Sequence, residues 1–218
     1  MPTDFQLFSN QLKERLKLPM PGATAHSQLL PTTIDIIRKK FVHADNARSS
    51  GVIILLYPEQ GRIKFPLIKR SEYDGLHSGQ VSLPGGKTEL NETVEETAIR
   101  ELEEEIGVKV DKNSIVGKLS DFFVIPSNFI VVPTIACTPY RPQFVPNPIE
   151  VASILECDLV DLIKDDAVRT TELTSYQTQI LAPHFLVSNE IVWGATAMIL
   201  NEMRLIIREL GIDLIQEP

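Results

Sequence analysis

Acidic side chains with the spacing of a metal site are concentrated in one segment of the sequence. Eight of the 29 acidic residues fall between Gly85 and Val108, in GGKTELNETVEETAIRELEEEIGV. Glu101, Glu104 and Glu105 lie within about one helical turn, where like charges repel by a few tenths of a kcal/mol per pair. Divalent cations relieve such repulsion, and carboxylate oxygens suit Mg²⁺ or Mn²⁺. A solvated charged helix face carries the same run of acids, so the residue types alone leave both interpretations open.

A helix over Asn91–Ile106 must position these carboxylates, and Gly107 is its stop signal. At about 100° per residue, one stripe of this helix is apolar and should be buried; it contains Val94, Ala98, Ile99, Leu102 and Ile106. Glu101 and Glu104 lie off the stripe, whereas Glu105 lies at its edge. Pro84-Gly85-Gly86 predicts a tight turn that brings backbone carbonyls and amides close to the helix.

The same segment resembles the signature of the Nudix hydrolases, G-x5-E-x7-R-E-U-x-E-E-x-G-U, where U is an aliphatic residue. Gly86, Glu92 and the run from Arg100 to Val108 match every fixed position. The resemblance implies an α/β/α sandwich, with a mixed sheet covered by helices, and hydrolysis of a nucleoside diphosphate linked to another moiety.

The resemblance also implies site residues. The Mg²⁺ or Mn²⁺ ligands would be Glu101, Glu104, Glu105 and the Gly86 carbonyl. Glu104 and Glu101 would be the catalytic carboxylates, with Glu104 as a candidate base. Three residues would be structural, Glu92 and Arg100 as an ion pair that holds the loop to the helix and Gly85 as part of the turn.

The residues upstream of this box are similar to a second signature, that of the coenzyme A pyrophosphatase subgroup. Arg70, Ser71, Gly79 and Pro84-Gly85-Gly86 agree with it in register. Further on, PNPIEV and IVWGATAMIL also look like segments of this subgroup. The signature is not matched at Pro66, Ile68, Gly75 and Leu83. Gly75 replaces an arginine, which removes a guanidinium able to reach a phosphate. The candidate substrate-binding residues are Arg70, Ser71, His77, Gly79 and Lys69.

This second resemblance implies hydrolysis of coenzyme A or acyl-coenzyme A to 3′,5′-ADP and a 4′-phosphopantetheine product. The missing arginine keeps open a Nudix hydrolase of ADP-ribose, dinucleotides or nucleoside triphosphates. A sensor that binds a nucleotide or acyl-coenzyme A without cleaving it is a third alternative. Glu150, at the start of a strand-like run, is either a strand-edge carboxylate or a residue that faces the substrate. Packing is the favoured role of Trp193.

Composition restricts the classes of partner. Of 218 residues, 43% are hydrophobic and 23% are charged, which is typical of globular proteins. A net charge of −8 argues against a nucleic-acid-binding surface. The N-terminus lacks a signal-peptide pattern and no apolar stretch approaches a membrane span, so we expect a cytoplasmic protein without a membrane partner. Cys137 and Cys157 lie in apolar runs and are expected to be buried thiols.

The remaining pattern predicts two regions, a helical N-terminal extension over 1–44 and a Nudix hydrolase domain over 45–218. In the extension, Asp4–Leu18 reads as an amphipathic helix, and residues 34–42 fit either a helix or a basic strand-like arm. The extension is a candidate surface for a homodimer. Beyond it we expect hairpins at Glu59-Gln60-Gly61 and Ser127-Asn128, an irregular proline-rich crossing from Pro139 to Pro148, weak strands in TSYQTQI and PHFLVSN, and a helix from Trp193.

Overall fold

The structure, a computed structural model, describes residues 4–33, 46–72, 77–124, 127–175 and 178–211. The prediction for residues 34–42 and the position of Gly75 lie outside these ranges. Within them, no helix is both long and apolar enough to cross a lipid bilayer.

The described residues form five α-helices and twelve strands. The helices are α1 (Asp4–Arg15), α2 (Ala23–Gln28), α3 (Val94–Ile106), α4 (Leu159–Ile163) and α5 (Gly194–Leu210). The strands are β1 (Thr32–Thr33), β2 (Arg48–Glu59), β3 (Arg62–Arg70), β4 (Val81–Ser82), β5 (Gly85–Lys87), β6 (Ile115–Lys118), β7 (Phe122–Val124), β8 (Phe129–Cys137), β9 (Val151–Asp158), β10 (Arg169–Ser175), β11 (Thr178–Val187) and β12 (Glu190–Trp193).

The main sheet is built on β2, which pairs with β3 through the predicted hairpin and with β8 in parallel. Gln60 and Gly61 both have positive φ, the conformation of a tight hairpin turn. The strand order is β4-β3-β2-β8-β6, with β5 paired to β2, β7 to β8 and β9 to β3. The hairpin predicted at Ser127-Asn128 is confirmed by the antiparallel pairing of β7 with β8.

The two faces of this sheet are covered by different helices. Alternation along β2 sends Ile53 and Leu55 to a core shared with Ala98 and Leu102 of α3. Ile54 and Leu56 point to the other core, which includes residues of α1 and α5; this core contains Phe5, Phe8, Leu12, Leu67, Leu155, Leu200 and Met203. This mixed sheet between helical layers confirms the predicted α/β/α architecture.

The N-terminal helix begins as predicted at Asp4 and ends at Arg15. Its apolar side belongs to the larger core, because Phe8 and Leu12 are almost completely buried there. A fully buried carboxylate on α5, Glu202, accepts hydrogen bonds from the Gly22 backbone N–H at 2.9 Å and from Ser120. Residues 4–33 therefore contact the last helix through both apolar packing and hydrogen bonds. The division at residue 45 stays a prediction.

A second, four-stranded sheet corrects one detail of the predicted strands. TSYQTQI and PHFLVSN are not two separate weak strands: β11 runs unbroken through Pro183, which lies opposite Thr170 of β10. On its other side β11 pairs with β1 only up to Leu181 and with β12 only from His184, so Pro183 lies between the two ladders and its missing N–H need not end the strand. Ser188 and Asn189, both with positive φ, then turn the chain into β12. Trp193 is therefore the end of a strand and not the start of the last helix.

Candidate active site

Helix α3 presents the acidic residues from a well-defined start and end. Thr93 forms a capping box with Glu96, in which each side chain accepts a hydrogen bond from the other's backbone N–H. Gly107 ends the helix in the left-handed conformation, with φ 72°. The helix thus begins at Val94, slightly later than the predicted Asn91, and ends at the predicted residue.

The buried side of α3 holds a carboxylate among apolar residues. Ala98, Leu102 and Ile106 are fully buried, and Glu105 is only 1% exposed. The helix lies so close to β2 that a Cβ on Gly51 would stand 2.1 Å from the Val94 carbonyl oxygen. Gly51 is a site-forming residue that the sequence analysis missed. Its signal was a glycine at the start of a β-branched run, where close backbone approach is one common reason for glycine.

Glu105 is held from two sides. Its Oε2 accepts a hydrogen bond from the Gly85 backbone N–H at 2.9 Å, and its Oε1 lies 3.6 Å from Nη1 of Arg70. Burial, opposed by these two contacts, raises the pKa of Glu105 to about 8. The turn before α3 therefore fixes the orientation of this carboxylate directly.

Arg100 forms ion pairs with three other carboxylates of the segment. Its Nε donates to Glu92 at 2.7 Å, and its Nη1 donates at 2.8 Å to both Glu101 and Glu104. Hydrogen bonding to Arg100 is the main reason that the pKa of Glu92 falls to about 2. Arg100 Nη2 also donates to the Lys87 carbonyl, so one guanidinium ties the loop to the helix.

Gly86 leaves the space that the Glu101 carboxylate occupies. A Cβ on Gly86 would lie 2.2 Å from Glu101 Oε1, and burial raises the pKa of Glu101. The Gly86 carbonyl accepts a hydrogen bond from the Ser50 hydroxyl at 2.7 Å. That contact engages one side of the carbonyl, and a carbonyl oxygen has two lone pairs.

The carboxylate and carbonyl oxygens around the Gly85-Gly86 turn and α3 suit a divalent cation. In the side-chain arrangement of the described residues, no three His, Cys, Asp or Glu side chains are grouped closely enough to hold a metal ion. Here Arg100 neutralises Glu101 and Glu104, and Arg70 stands beside Glu105. The carboxylates nevertheless extend from one helix toward a glycine turn, and carboxylate and carbonyl oxygens are the ligands that Mg²⁺ and Mn²⁺ prefer.

Only some of the predicted substrate-binding residues lie near the carboxylates of α3. Strand alternation sends Ile68 toward α3, and Arg70 reaches Glu105 from the same side. Lys69 points to the opposite face, where its Nζ binds Glu190 of β12 at 2.7 Å. Sequence adjacency to Arg70 was thus a poor guide, because neighbouring strand residues face opposite ways.

Of the other three predicted substrate-binding residues, Ser71 follows β3, and His77 and Gly79 precede β4. The Ser71 backbone N–H donates to the Glu150 carbonyl at 2.9 Å. His77, with φ 68°, contacts Gln80 Oε1 through Nδ1 at 2.9 Å. Gly79 has φ 66°, so the turn that precedes β4 needs a residue that tolerates the left-handed region.

The comparisons with known proteins agree with this fold. A family model described as NUDIX domain matches residues 47–164. Nudix hydrolase 22, chloroplastic, of Arabidopsis thaliana is 33% identical over 162 residues, covering 70% of this chain and 53% of that protein. Nudix hydrolase 3 of Caenorhabditis elegans is 29% identical over 201 residues, covering 83% of this chain and 84% of that protein.

The solved structures give the same fold. A MutT/nudix family protein from Enterococcus faecalis superposes with a TM-score of 0.51 at 16% identity, covering 92% of this chain and 71% of the other. The chain spans about half the length of two Arabidopsis thaliana relatives, 53% of Nudix hydrolase 22, chloroplastic, and 56% of Nudix hydrolase 15, mitochondrial. Because the family model matches more than half of the sequence, including the acidic helix and its glycine turn, the chain belongs to the Nudix hydrolase family.

Proposed function

We propose that this protein is a metal-dependent pyrophosphohydrolase that cleaves the diphosphate of coenzyme A or acyl-coenzyme A. The observation that carries the proposal is the convergence on one glycine turn of Glu101, Glu105 and the guanidinium of Arg70. A diphosphate binds where positive charge reaches it from two directions. Here one charge would come from a cation held by the carboxylates and the other from the arginine.

Nudix hydrolases generally use divalent metal ions, and four groups of this chain suit such an ion. Glu101, Glu104, Glu105 and the Gly86 carbonyl would hold Mg²⁺ or Mn²⁺. When bound, such an ion neutralises diphosphate charge and lowers the pKa of a coordinated water. The hydrogen bond from Gly85 N–H keeps one Glu105 oxygen fixed while the other faces Arg70.

Arg70 is the residue best placed to orient the substrate. Its Nε is buried and has no hydrogen-bond partner among the described residues, and its Nη1 stands at 3.6 Å from Glu105, beyond hydrogen-bond distance. A guanidinium with unused donors binds phosphate oxygens in a defined orientation. Arg70 would therefore hold the diphosphate against the carboxylates.

Glu104 is the carboxylate most open to solvent and is our candidate for accepting a proton from water. Its side chain is 54% exposed, against 14% for Glu101 and 2% for Glu105. Arg100 Nη1 contacts one oxygen of Glu104 and so orients it. A base must reach the attacking water, and the exposed carboxylate satisfies that need with the least movement.

Coenzyme A is proposed on sequence grounds, namely the agreement of Arg70, Ser71, Gly79 and Pro84-Gly85-Gly86 with the subgroup signature. Gly75, where that signature has arginine, favours a second candidate substrate class: ADP-ribose, dinucleotides or nucleoside triphosphates. Both candidates contain the same diphosphate linkage, so the chemistry at α3 is common to them.

The test is turnover of coenzyme A by the purified chain with Mg²⁺ or Mn²⁺, with and without chelator. We expect 3′,5′-ADP and 4′-phosphopantetheine as products, and a loss of at least about 100-fold in kcat for Glu104→Gln and Glu105→Gln. Activity that survives both substitutions would contradict the mechanism. Tight binding by calorimetry without product would favour the sensor alternative.

The substrate class is tested by a competition panel. Coenzyme A, dephospho-coenzyme A and ADP-ribose are offered together, and kcat/KM is compared from product ratios. A coenzyme A enzyme is expected to prefer the 3′-phosphorylated compound over dephospho-coenzyme A. A preference for ADP-ribose would assign the protein to the second candidate class.

A further inference from the structure

Asn147 lies in the proline-rich crossing between β8 and β9, where that crossing contacts the last turn of α3. Its backbone N–H donates to the Glu105 carbonyl at 2.8 Å. Its own carbonyl accepts hydrogen bonds from the Glu150 N–H at 3.1 Å and from the Val151 N–H at 2.8 Å. The backbone of this one residue therefore joins α3 at Glu105 to the first residue of β9.

The start of β9 in turn holds the end of β3, where Arg70 lies. Val151 pairs with Arg70, and the Glu150 carbonyl accepts a hydrogen bond from the Ser71 N–H at 2.9 Å. The register of this ladder shifts just before Arg70, so a bulge sets the direction in which the Arg70 side chain leaves the strand. The turn that begins at Asn147 therefore supports the strand end that directs Arg70.

The side chain of Asn147 closes this turn. Its Oδ1 accepts a hydrogen bond from the Ile149 N–H at 3.1 Å. Asparagine forms such turns readily, and the intervening Pro148 favours them because its ring fixes its own φ. Alanine at position 147 would remove this acceptor. Because Ile149 is exposed, its N–H could then bond to water, so the turn would loosen at little cost in stability.

We propose that Asn147 is a positioning residue that orients Arg70 toward the diphosphate of the substrate. Arg70 Nη1 lies 3.6 Å from Glu105 Oε1, and the buried Arg70 Nε has no partner among the described residues. A guanidinium binds a diphosphate in a defined orientation only when the backbone that carries it is held in place. This inference rests on the proposed function, since it needs Arg70 to contact the diphosphate.

The test is the steady-state kinetics of the full chain with Mg²⁺, on whichever of coenzyme A and ADP-ribose the wild type hydrolyses. We expect Asn147→Ala to raise KM about tenfold and to change kcat by less than about threefold, because it loosens Arg70 and keeps the backbone hydrogen bond to Glu105. A partly unfolded protein would instead lower kcat at an unchanged KM. Asn147→Ser keeps an oxygen that can accept the Ile149 N–H, so its KM should lie between those of Asn147→Ala and wild type.

A double-mutant cycle identifies the residue through which Asn147 acts. If Asn147 acts through Arg70, the single variant Arg70→Ala and the double variant Arg70→Ala/Asn147→Ala should have the same KM, because the guanidinium to be oriented is absent from both. Asn113→Ala is the matched control and should leave KM unchanged. Asn113 is an exposed asparagine in the connection between α3 and β6.

The outcomes separate this inference from the proposed function. A wild-type KM in Asn147→Ala, or a further rise in KM when Asn147→Ala is added to Arg70→Ala, overturns the positioning role and leaves the proposed function standing if the wild type hydrolyses coenzyme A. A wild type that hydrolyses only ADP-ribose, with the expected KM changes, overturns coenzyme A as substrate and supports the positioning role. A wild type that hydrolyses neither compound overturns both.

Discussion

Replacing Gly51 by alanine tests whether the close approach of α3 to β2 sets the position of the carboxylates. The new Cβ would stand 2.1 Å from the Val94 carbonyl oxygen and 3.1 Å from the Ala98 nitrogen. Ordinary van der Waals contact begins at 3.4 Å, so the start of α3 must move away by about 1.3 Å. Both obstacles are helix backbone, which cannot rotate aside as a side chain can.

The displacement has two measurable consequences. Overpacking of this kind costs about 1–3 kcal/mol of unfolding free energy, and a domain of this size loses about 2–4 °C of Tm per kcal/mol. Glu101 is part of the same helix and moves with it. Misplacing a catalytic group by about 1 Å lowers turnover by about 100-fold. Gly51→Ala should therefore lower kcat more than its modest loss of stability explains.

The assay pairs thermal unfolding with metal-dependent coenzyme A turnover at a temperature where the variant is folded. Ser49→Ala is the matched control, because Ser49 is an exposed neighbour on β2 whose replacement adds no atom near α3. A Gly51→Ala protein with wild-type Tm and kcat within twofold of wild type would refute the argument from backbone contact.

Three further substitutions test other parts of the account. Leu102→Ala removes a fully buried side chain from the core between α3 and the sheet and should cost about 2–5 kcal/mol of unfolding free energy, read from urea denaturation. Thr93→Ala removes the capping box of α3 and should cost about 1 kcal/mol, whereas no change would mean that the cap does not stabilise the helix. Glu92→Gln tests the link to pH: the pKa of Glu92 is depressed in the folded state, so its contribution is present above about pH 4.5 and is lost as pH falls toward 2. The stability gap between wild type and Glu92→Gln should shrink over that window, and a gap constant with pH would count against the ion pair with Arg100.

The chemistry of α3 was predictable because it is local in sequence. Helical periodicity placed Glu105 at the edge of the apolar stripe, and the structure buries it to 1% exposure. Gly107 predicted the end of α3, and Gln60-Gly61 predicted the first hairpin. Both predictions hold because each turn needs residues with positive φ at these positions. These features depend on a few neighbouring residues only.

The contacts that complete the site were not predictable, because they join distant segments. Gly51 carries no chemical group, and its role appears only when α3 packs on it. Lys69 and Arg70 are adjacent in sequence and face opposite sides of the sheet. TSYQTQI and PHFLVSN were predicted as separate weak strands, yet β11 continues through Pro183 because its partners in β10 hold the ladder. Tertiary pairing outweighed local propensity at each of these positions.

The central claim is that the carboxylates of α3 direct hydrolysis of a diphosphate. The most direct measurement is ³¹P nuclear magnetic resonance of coenzyme A incubated with Mg²⁺ and either wild type or Glu104→Gln. With wild type, the diphosphate resonances should disappear and be replaced by phosphomonoester resonances, while Glu104→Gln leaves them essentially intact. Diphosphate resonances that persist with wild-type protein, or disappear equally fast with both proteins, would contradict the claim.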